Sequence, residues 1–161
     1  MTTDQVRQIV DQIDFGSSAG AGGSSNADSN NPQRSILVVD DSVTLRTYTC
    51  GIVQNNGLAT IEARDGYEAL EALKLMPAAP AAMVVDIEMP RMDGFTLVDA
   101  LRKIRRLENL PVIMISSRSG TYNRLRAREL GVQGFLGKPY REKDLQRLLS
   151  RLKLVDVDTA L

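Results

Sequence analysis

From residue 35 onward the chain alternates between short apolar runs and longer stretches whose apolar side chains recur every third or fourth position. The runs are SILVVD, LATIEA, AAMVVD, PVIMIS and GFLG. Residues 43–56, 66–76, 94–107, 122–130 and 142–152 carry the helical spacing. Strand and helix therefore alternate five times. The first, third and fourth runs are nearly unbroken Val, Ile, Leu and Met, the pattern of strands covered on both faces. Such alternation predicts an α/β domain with a five-stranded doubly wound parallel sheet. Right-handed crossovers then put helices on both faces.

The first 34 residues have a different texture. Val6, Ile9, Val10 and Ile13 share a helical stripe, and Thr2 with Gln5 can form a capping box. Residues 1–15 are thus expected to form a short amphipathic helix. A lone helix of that length is marginal in water, so a partner surface is expected for it. Residues 16–34 are mostly Gly, Ser and Asn and read as a flexible linker. The folded domain is expected over 35–154, with 155–161 as a tail too short for an output module.

Composition narrows the function. The chain has 161 residues, enough for one domain with a real core. Its 20 basic and 20 acidic residues balance, so nucleic acid is not an expected partner. No apolar run approaches the roughly 20 residues of a membrane span, and membrane insertion is not expected. The N-terminus is too polar for a signal peptide. The single cysteine, Cys50, fits a reducing cytoplasm. The chain contains no histidine, which excludes His-based acid–base chemistry, His metal sites and a phosphohistidine carrier.

Parallel sheets of this class bind ligands beyond the carboxyl ends of their strands. The first run ends in Asp40-Asp41, the third in Asp86 and the fourth in Ser116-Ser117; Lys138-Pro139 follow the fifth. A helix cap at Asp41 or Ser42 explains one position. Capping explains the set poorly, because three convergent carboxylates repel and raise one another's pKa. A hard divalent cation with oxygen ligands offsets that charge, together with Lys138. Mg²⁺ suits the donor set better than a transition metal. One acceptor carboxylate, Mg²⁺, an ammonium and a hydroxyl suit phosphoryl transfer, where positioning and electrostatics dominate. Asp86 is the expected nucleophile, forming an acyl phosphate. Lys138 can pair with one phosphoryl oxygen and Ser116 can donate to another.

The motifs ILVVDDS, VVDIEMPRMDG, VIMISSRSG and GFLGKPY, in this order and spacing, resemble the receiver domain of response regulators, with its flavodoxin-like, CheY-like fold. The resemblance covers about residues 34–152. It implies phosphorylation of Asp86 and Mg²⁺ held by Asp41, Asp86 and the backbone carbonyl of Glu88. Asp40 would act largely through water, and the Lys138-Pro139 bond would be cis. More narrowly, DDSVTLR, DIEMPRMDGF, SSRSG and LGKPY look like the C-terminal receivers of CheA-type hybrid histidine kinases in pilus and surface-motility chemosensory systems. The chain departs from that pattern in three places. Ser116 stands for the commoner threonine, Phe135 for a frequent tyrosine, and Tyr122-Asn123 where the subgroup often has basic residues.

The resemblance also implies a switch. Ser116 moves towards the phosphoryl group and Phe135 turns inward, by sterics alone since Phe lacks a hydroxyl. The face that changes carries Arg124, Arg126, Arg128, Arg141, Lys143, Arg147 and Arg151. The phosphoryl donor must be another molecule or chain: a histidine kinase or a His-phosphotransfer domain. Output is expected through protein–protein contact or phosphate storage, with no chemistry beyond the domain's own phosphorylation and dephosphorylation. Glu88 and Arg118 are expected to pair across the rim of the pocket and hinder the hydrolytic water. Two other readings compete. A haloacid dehalogenase-type phosphatase wants Asp-x-Asp at its nucleophile, and this chain has Asp86-Ile87-Glu88. A degenerate receiver used only for binding would not need the intact acids and Lys138.

Overall fold

The computed structural model describes residues 7–8 and 34–155. The helix expected over 1–15 lies outside them except for Arg7 and Gln8, which are helical. The expected linker as far as residue 33, and the tail from 156, also lie outside.

Five strands form one parallel sheet: β1 (Ser35–Val39), β2 (Ala59–Ala63), β3 (Ala82–Asp86), β4 (Val112–Ser116) and β5 (Gly134–Gly137). Their order is β2-β1-β3-β4-β5, and every pairing is parallel. The helices are α1 (Val43–Asn55), α2 (Gly66–Leu75), α3 (Gly94–Arg102), α4 (Thr121–Glu129) and α5 (Glu142–Arg151). The three central strands are buried at every position, whereas the edge strands β2 and β5 are mostly half-exposed. That difference is why β1, β3 and β4 read as unbroken apolar runs.

Strand side chains alternate between faces, so the sheet sorts its residues into two cores. Leu37, Val39, Met83, Val85, Val112 and Met114 pack with α2, α3 and Ala127 of α4. Ile36, Val38, Ala82, Val84, Ile113 and Ile115 pack with α1 and α5 through Cys50, Ile52, Val53, Leu145 and Leu149. Full burial of one such leucine or isoleucine contributes roughly 1.5–3 kcal/mol.

Side-chain caps start the helices next to the carboxyl edge. Ser42 accepts from the Leu45 N–H at 3.3 Å, Asp65 from Glu68 at 2.9 Å and Asp93 from Thr96 at 2.7 Å. Gly120, before α4, makes no side-chain cap.

The helix expected to run from 94 to 107 is shorter. It ends at Arg102, and Arg105–Leu107 form a separate 3₁₀ turn. The break lets Ile104, Leu107 and Leu110 all enter the core. Arg102 satisfies carbonyls around it, donating to Leu130 at 2.9 Å, Glu108 at 3.1 Å, Leu110 at 2.7 Å and Gly131 at 3.1 Å.

Candidate functional site

The carboxyl ends of β1, β3, β4 and β5 meet at one edge. Asp86 is the last residue of β3 and only 2 % exposed. It is central because β3 lies between β1 and β4. Asp40 and Asp41 follow β1; Asp40 is buried and Asp41 exposed. Carboxylate oxygens of Asp40, Asp41 and Asp86 all lie within 4.8 Å of one another. The Ser42 N–H donates to Asp40 Oδ1 at 2.9 Å and Arg46 to the Asp40 carbonyl at 2.8 Å, which fixes that residue's place.

Lys138 supplies the positive charge. Its Nζ lies 3.0 Å from Asp86 Oδ1 and 3.7 Å from Asp40 Oδ2. The approach is charge to charge. Asp86 Oδ1 is buried with no aligned hydrogen bond, and the Lys138 ammonium is the charge it faces. The Lys138-Pro139 bond is cis, and the Lys138 N–H donates to the Ser116 carbonyl at 2.8 Å, next to β4.

Burial is the main cause that pushes the Asp86 carboxyl up to about 7; Lys138 opposes it, while Asp40 and the Glu88 carboxyl raise it further. Asp40 is also raised, by burial first, against the Ser42 N–H and Lys138. Two buried acids held above their ordinary range, beside a third, call for more positive charge than one lysine brings. The donors are hard oxygens, one of them buried without a hydrogen bond. The residues present therefore fit Mg²⁺.

The loop after β3 is held hard against the acceptor. A Cβ on Gly94 would sit 2.6 Å from the Asp86 carbonyl oxygen and 3.0 Å from Ile87 Cα. Only glycine lets α3 start there, and this explains why the acid is followed closely by Asp93-Gly94.

Ser116 is fully buried at the end of β4. Its hydroxyl donates to Glu88 Oε1 and accepts from the Arg118 N–H at 2.8 Å. The Ser117 N–H donates to Glu88 Oε2 at 3.3 Å. Burial raises the Glu88 carboxyl, but the Ser116 hydroxyl and the Ser117 and Glu88 N–H groups outweigh it and hold the acid below its ordinary range. The rim pair expected between Glu88 and Arg118 does not form: among the described residues Glu88 faces Ser116 and Ser117 instead. Donors fixed on the β4 edge, the Ser116 hydroxyl and the Ser117 N–H, lie within hydrogen-bond reach of the carboxylate.

Phe135, on β5, is half-buried against the α2–α3–α4 core, with the Arg124 guanidinium 4.8 Å from its ring centroid. Arg126 takes a different partner, the buried Phe95 ring at 4.7 Å. Arg124, Arg128 and Arg151 line a groove with Phe135 and Leu148 between α4, β5 and α5.

Sequence reasoning missed two features of this edge. One is the Glu88 side chain as the partner of Ser116. The other is an ion pair between Arg91, in the β3–α3 loop, and Asp65, the cap of α2. Asp65 before a helical stretch was a visible cap signal. Nothing in the sequence joins it to Arg91.

Comparison with known proteins agrees with this geometry. The model of the response regulator receiver domain matches residues 36–150. Sensor histidine kinase CheAY of Helicobacter pylori is 38% identical over 116 residues, 72% of this chain but 14% of CheAY. Protein PilG of Pseudomonas aeruginosa is 33% identical over 110 residues, 68% of this chain and 80% of PilG. Among solved structures, the chemotaxis protein CheY4 of Vibrio cholerae has a TM-score of 0.68 at 29% identity, covering 73% of this chain and 97% of CheY4. The chain thus spans only a small part of the length of CheAY. Among the described residues, no helix is long and apolar enough to cross a membrane.

Proposed function

The chain belongs to the response regulator receiver domain family, and from that premise we propose that it is a phosphoacceptor, modified on Asp86 in a Mg²⁺-dependent reaction. The observation that carries the reading is the buried Asp86 at the end of the central strand. One of its oxygens has no hydrogen bond, Lys138 lies 3.0 Å away, and two further carboxylates stand beside it.

Asp86 attacks the phosphorus of a phosphohistidine. The O–P bond forms as the P–N bond breaks, and the electron pair returns to the imidazole, which takes a proton from water. The donor histidine belongs to a histidine kinase or a His-phosphotransfer domain, because this chain has none. Lys138 pairs with a phosphoryl oxygen and favours the ionised form of Asp86 that attacks. Asp41, Asp86 and the Glu88 carbonyl would hold the ion, with Asp40 acting through water. When bound, Mg²⁺ supplies counter-charge to the carboxylates and to the transferring group.

The Ser116 hydroxyl has one proton, and the Glu88 carboxylate and the Arg118 carbonyl, the latter at 2.9 Å, are its two acceptors in the structure. A phosphoryl group on Asp86 is a competing anion, and transfer of that hydrogen bond is the first event of the switch. Phe135 follows by packing, since it has no hydroxyl of its own. The signal leaves through the basic α4–β5–α5 face to a protein partner, or the phosphate is simply stored. The likeness to the sensor histidine kinase CheAY and to the chemotaxis protein CheY4 favours a place in a chemosensory kinase system.

The test is phosphoryl uptake by the full chain from acetyl phosphate, read as a mass shift. Wild type gains one phosphoryl group with Mg²⁺ and none with a chelator, and Asp86→Asn gains none. Labelling of Asp86→Asn, or equal labelling with chelator, overturns the proposal.

A further inference from the structure

Arg91 has a φ of 68°, a left-handed conformation that side chains with a Cβ adopt only when their surroundings hold them. Three contacts hold it. Its guanidinium forms an ion pair with Asp65. The same group lies over the Tyr67 ring, 5.2 Å from the centroid. The Met92 N–H closes a tight turn onto the Pro90 carbonyl at 2.8 Å.

Asp65 is a fixed anchor. It is only 4 % exposed, and its other oxygen caps α2 through the Glu68 N–H at 2.9 Å. Met92 packs its side chain against Gly66, where an added Cβ would force that side chain to move. The β2–α2 turn and the β3–α3 loop are therefore joined above the sheet edge.

The β3–α3 loop is also closed at its ends. The Gly94 N–H donates to the Ile87 carbonyl at 2.9 Å, and the Met89 N–H to the same oxygen at 3.1 Å. Between those fixed ends lies Glu88, which presents its carboxylate to Ser116. Arg91 is the outward tether of this small ring. It forms no ion pair with Asp40, Asp41 or Asp86, so anything it does to them passes through the loop.

We infer that Arg91 and Asp65 form a positioning clamp that holds the phosphoacceptor loop, and with it the Glu88 carbonyl, in the geometry that metal binding and phosphoryl transfer require. The inference rests on the receiver reading, but its first readout does not.

The test uses the full chain, three single variants and the Arg91→Gly/Asp65→Asn double variant. Arg91→Gly accepts the left-handed backbone without strain and removes the guanidinium. Arg91→Lys keeps the charge but loses the planar fork. Asp65→Asn keeps a cap acceptor and loses the charge. Mg²⁺ affinity is measured by calorimetry, phosphoryl uptake from acetyl phosphate by mass, and exchange of the amides of residues 87–93 in metal-free protein. Arg91→Gly and Asp65→Asn are expected to weaken Mg²⁺ binding about tenfold, the effect typical of losing an outer-shell partner. Their uptake should slow by a similar factor, with faster loop exchange, while metal-free melting of Arg91→Gly stays near wild type. Arg91→Lys should recover part of the affinity. The double variant should be no worse than either single one, because both remove the same contact. Wild-type Mg²⁺ affinity in Arg91→Gly, or a defect that merely follows lost fold stability across the variants, overturns the clamp. Wild-type protein that binds Mg²⁺ but takes up no phosphoryl group would overturn the phosphoacceptor reading and leave the affinity comparison to judge the clamp.

Discussion

Glu88 and Tyr140 show how much two side chains decide. Glu88 is an anion that occupies the hydroxyl a phosphoryl group needs. Replacing it by alanine frees Ser116 and removes a negative charge beside the acceptor. Glu88→Ala should therefore raise the fraction of Asp86 phosphorylated at a fixed acetyl phosphate concentration several-fold, and Ser116→Ala should lower it; intact-mass measurement reads both. Tyr140 follows the cis peptide and is buried. Its hydroxyl bonds to Thr49, its ring lies 5.5 Å from that of Tyr48, and its carbonyl accepts from the Tyr48 hydroxyl at 3.3 Å. Burial pushes the Tyr140 phenol up to about 12, with the Thr49 hydroxyl opposing and Tyr48, Asp40 and Cys50 adding to the rise. A raised folded-state pKa means stability that is present below the ordinary tyrosine value near 10 and lost as pH climbs towards 12. Tyr140→Phe should cost about 1 kcal/mol at neutral pH through the orphaned Thr49. It should also escape about 2 kcal/mol of the alkaline loss seen in wild type, so urea midpoints of the two should converge or cross above pH 10.

At the scale of elements, α3 is placed by the absence of one carbon. Gly94 lies against the backbone of Asp86 and Ile87, and backbone cannot swing aside as a flexible side chain can. Gly94→Ala should push α3 off β3, cost about 2 kcal/mol by overpacking, and slow phosphoryl uptake; urea unfolding and mass-shift kinetics together check this. The early end of α3 follows from packing. Helical spacing continues through residue 107, but the core takes Ile104 and Leu107 by a turn, and Arg102 bonds the carbonyls around that turn. Helix α4 is the opposite case. Ala127 is its one buried side chain and its N-terminus has no side-chain cap. The core therefore holds it least among the described helices, which suits the switch proposed for the α4–β5–α5 face.

At the scale of the whole domain, two cores on opposite faces of one sheet leave the carboxyl edge to carry charge. The three acids weaken the fold unless their repulsion is offset, so a bound cation should stabilise the entire domain. At a Mg²⁺ concentration ten times its Kd the gain is about 1.4 kcal/mol, or roughly 4–7 °C in Tm for a domain of this size. Thermal unfolding with Mg²⁺ and with chelator should show that difference in wild type, and Asp41→Ala should lose most of it. An equal Tm with and without the ion would remove the cation from the site.

The alternation of apolar runs and helical stripes determined the sheet, and the strand-end acids with Lys138 pointed to its working edge. Those features are legible because burial and crossover chirality act on local patterns: a strand covered on both faces must be apolar along its length, and its last residue must reach the edge. What only the tertiary structure decided are contacts between polar residues far apart in the chain. Glu88 took Ser116 rather than Arg118, Arg91 took Asp65, and Tyr140 took Thr49. Each of these side chains had several donors or acceptors it could have met. Hydrogen bonds and ion pairs fall off within a few ångströms, and periodicity places a residue on a face but not within that distance of its partner. The choice was made by loop geometry, which the packed helices and the bare α-carbon of Gly94 impose.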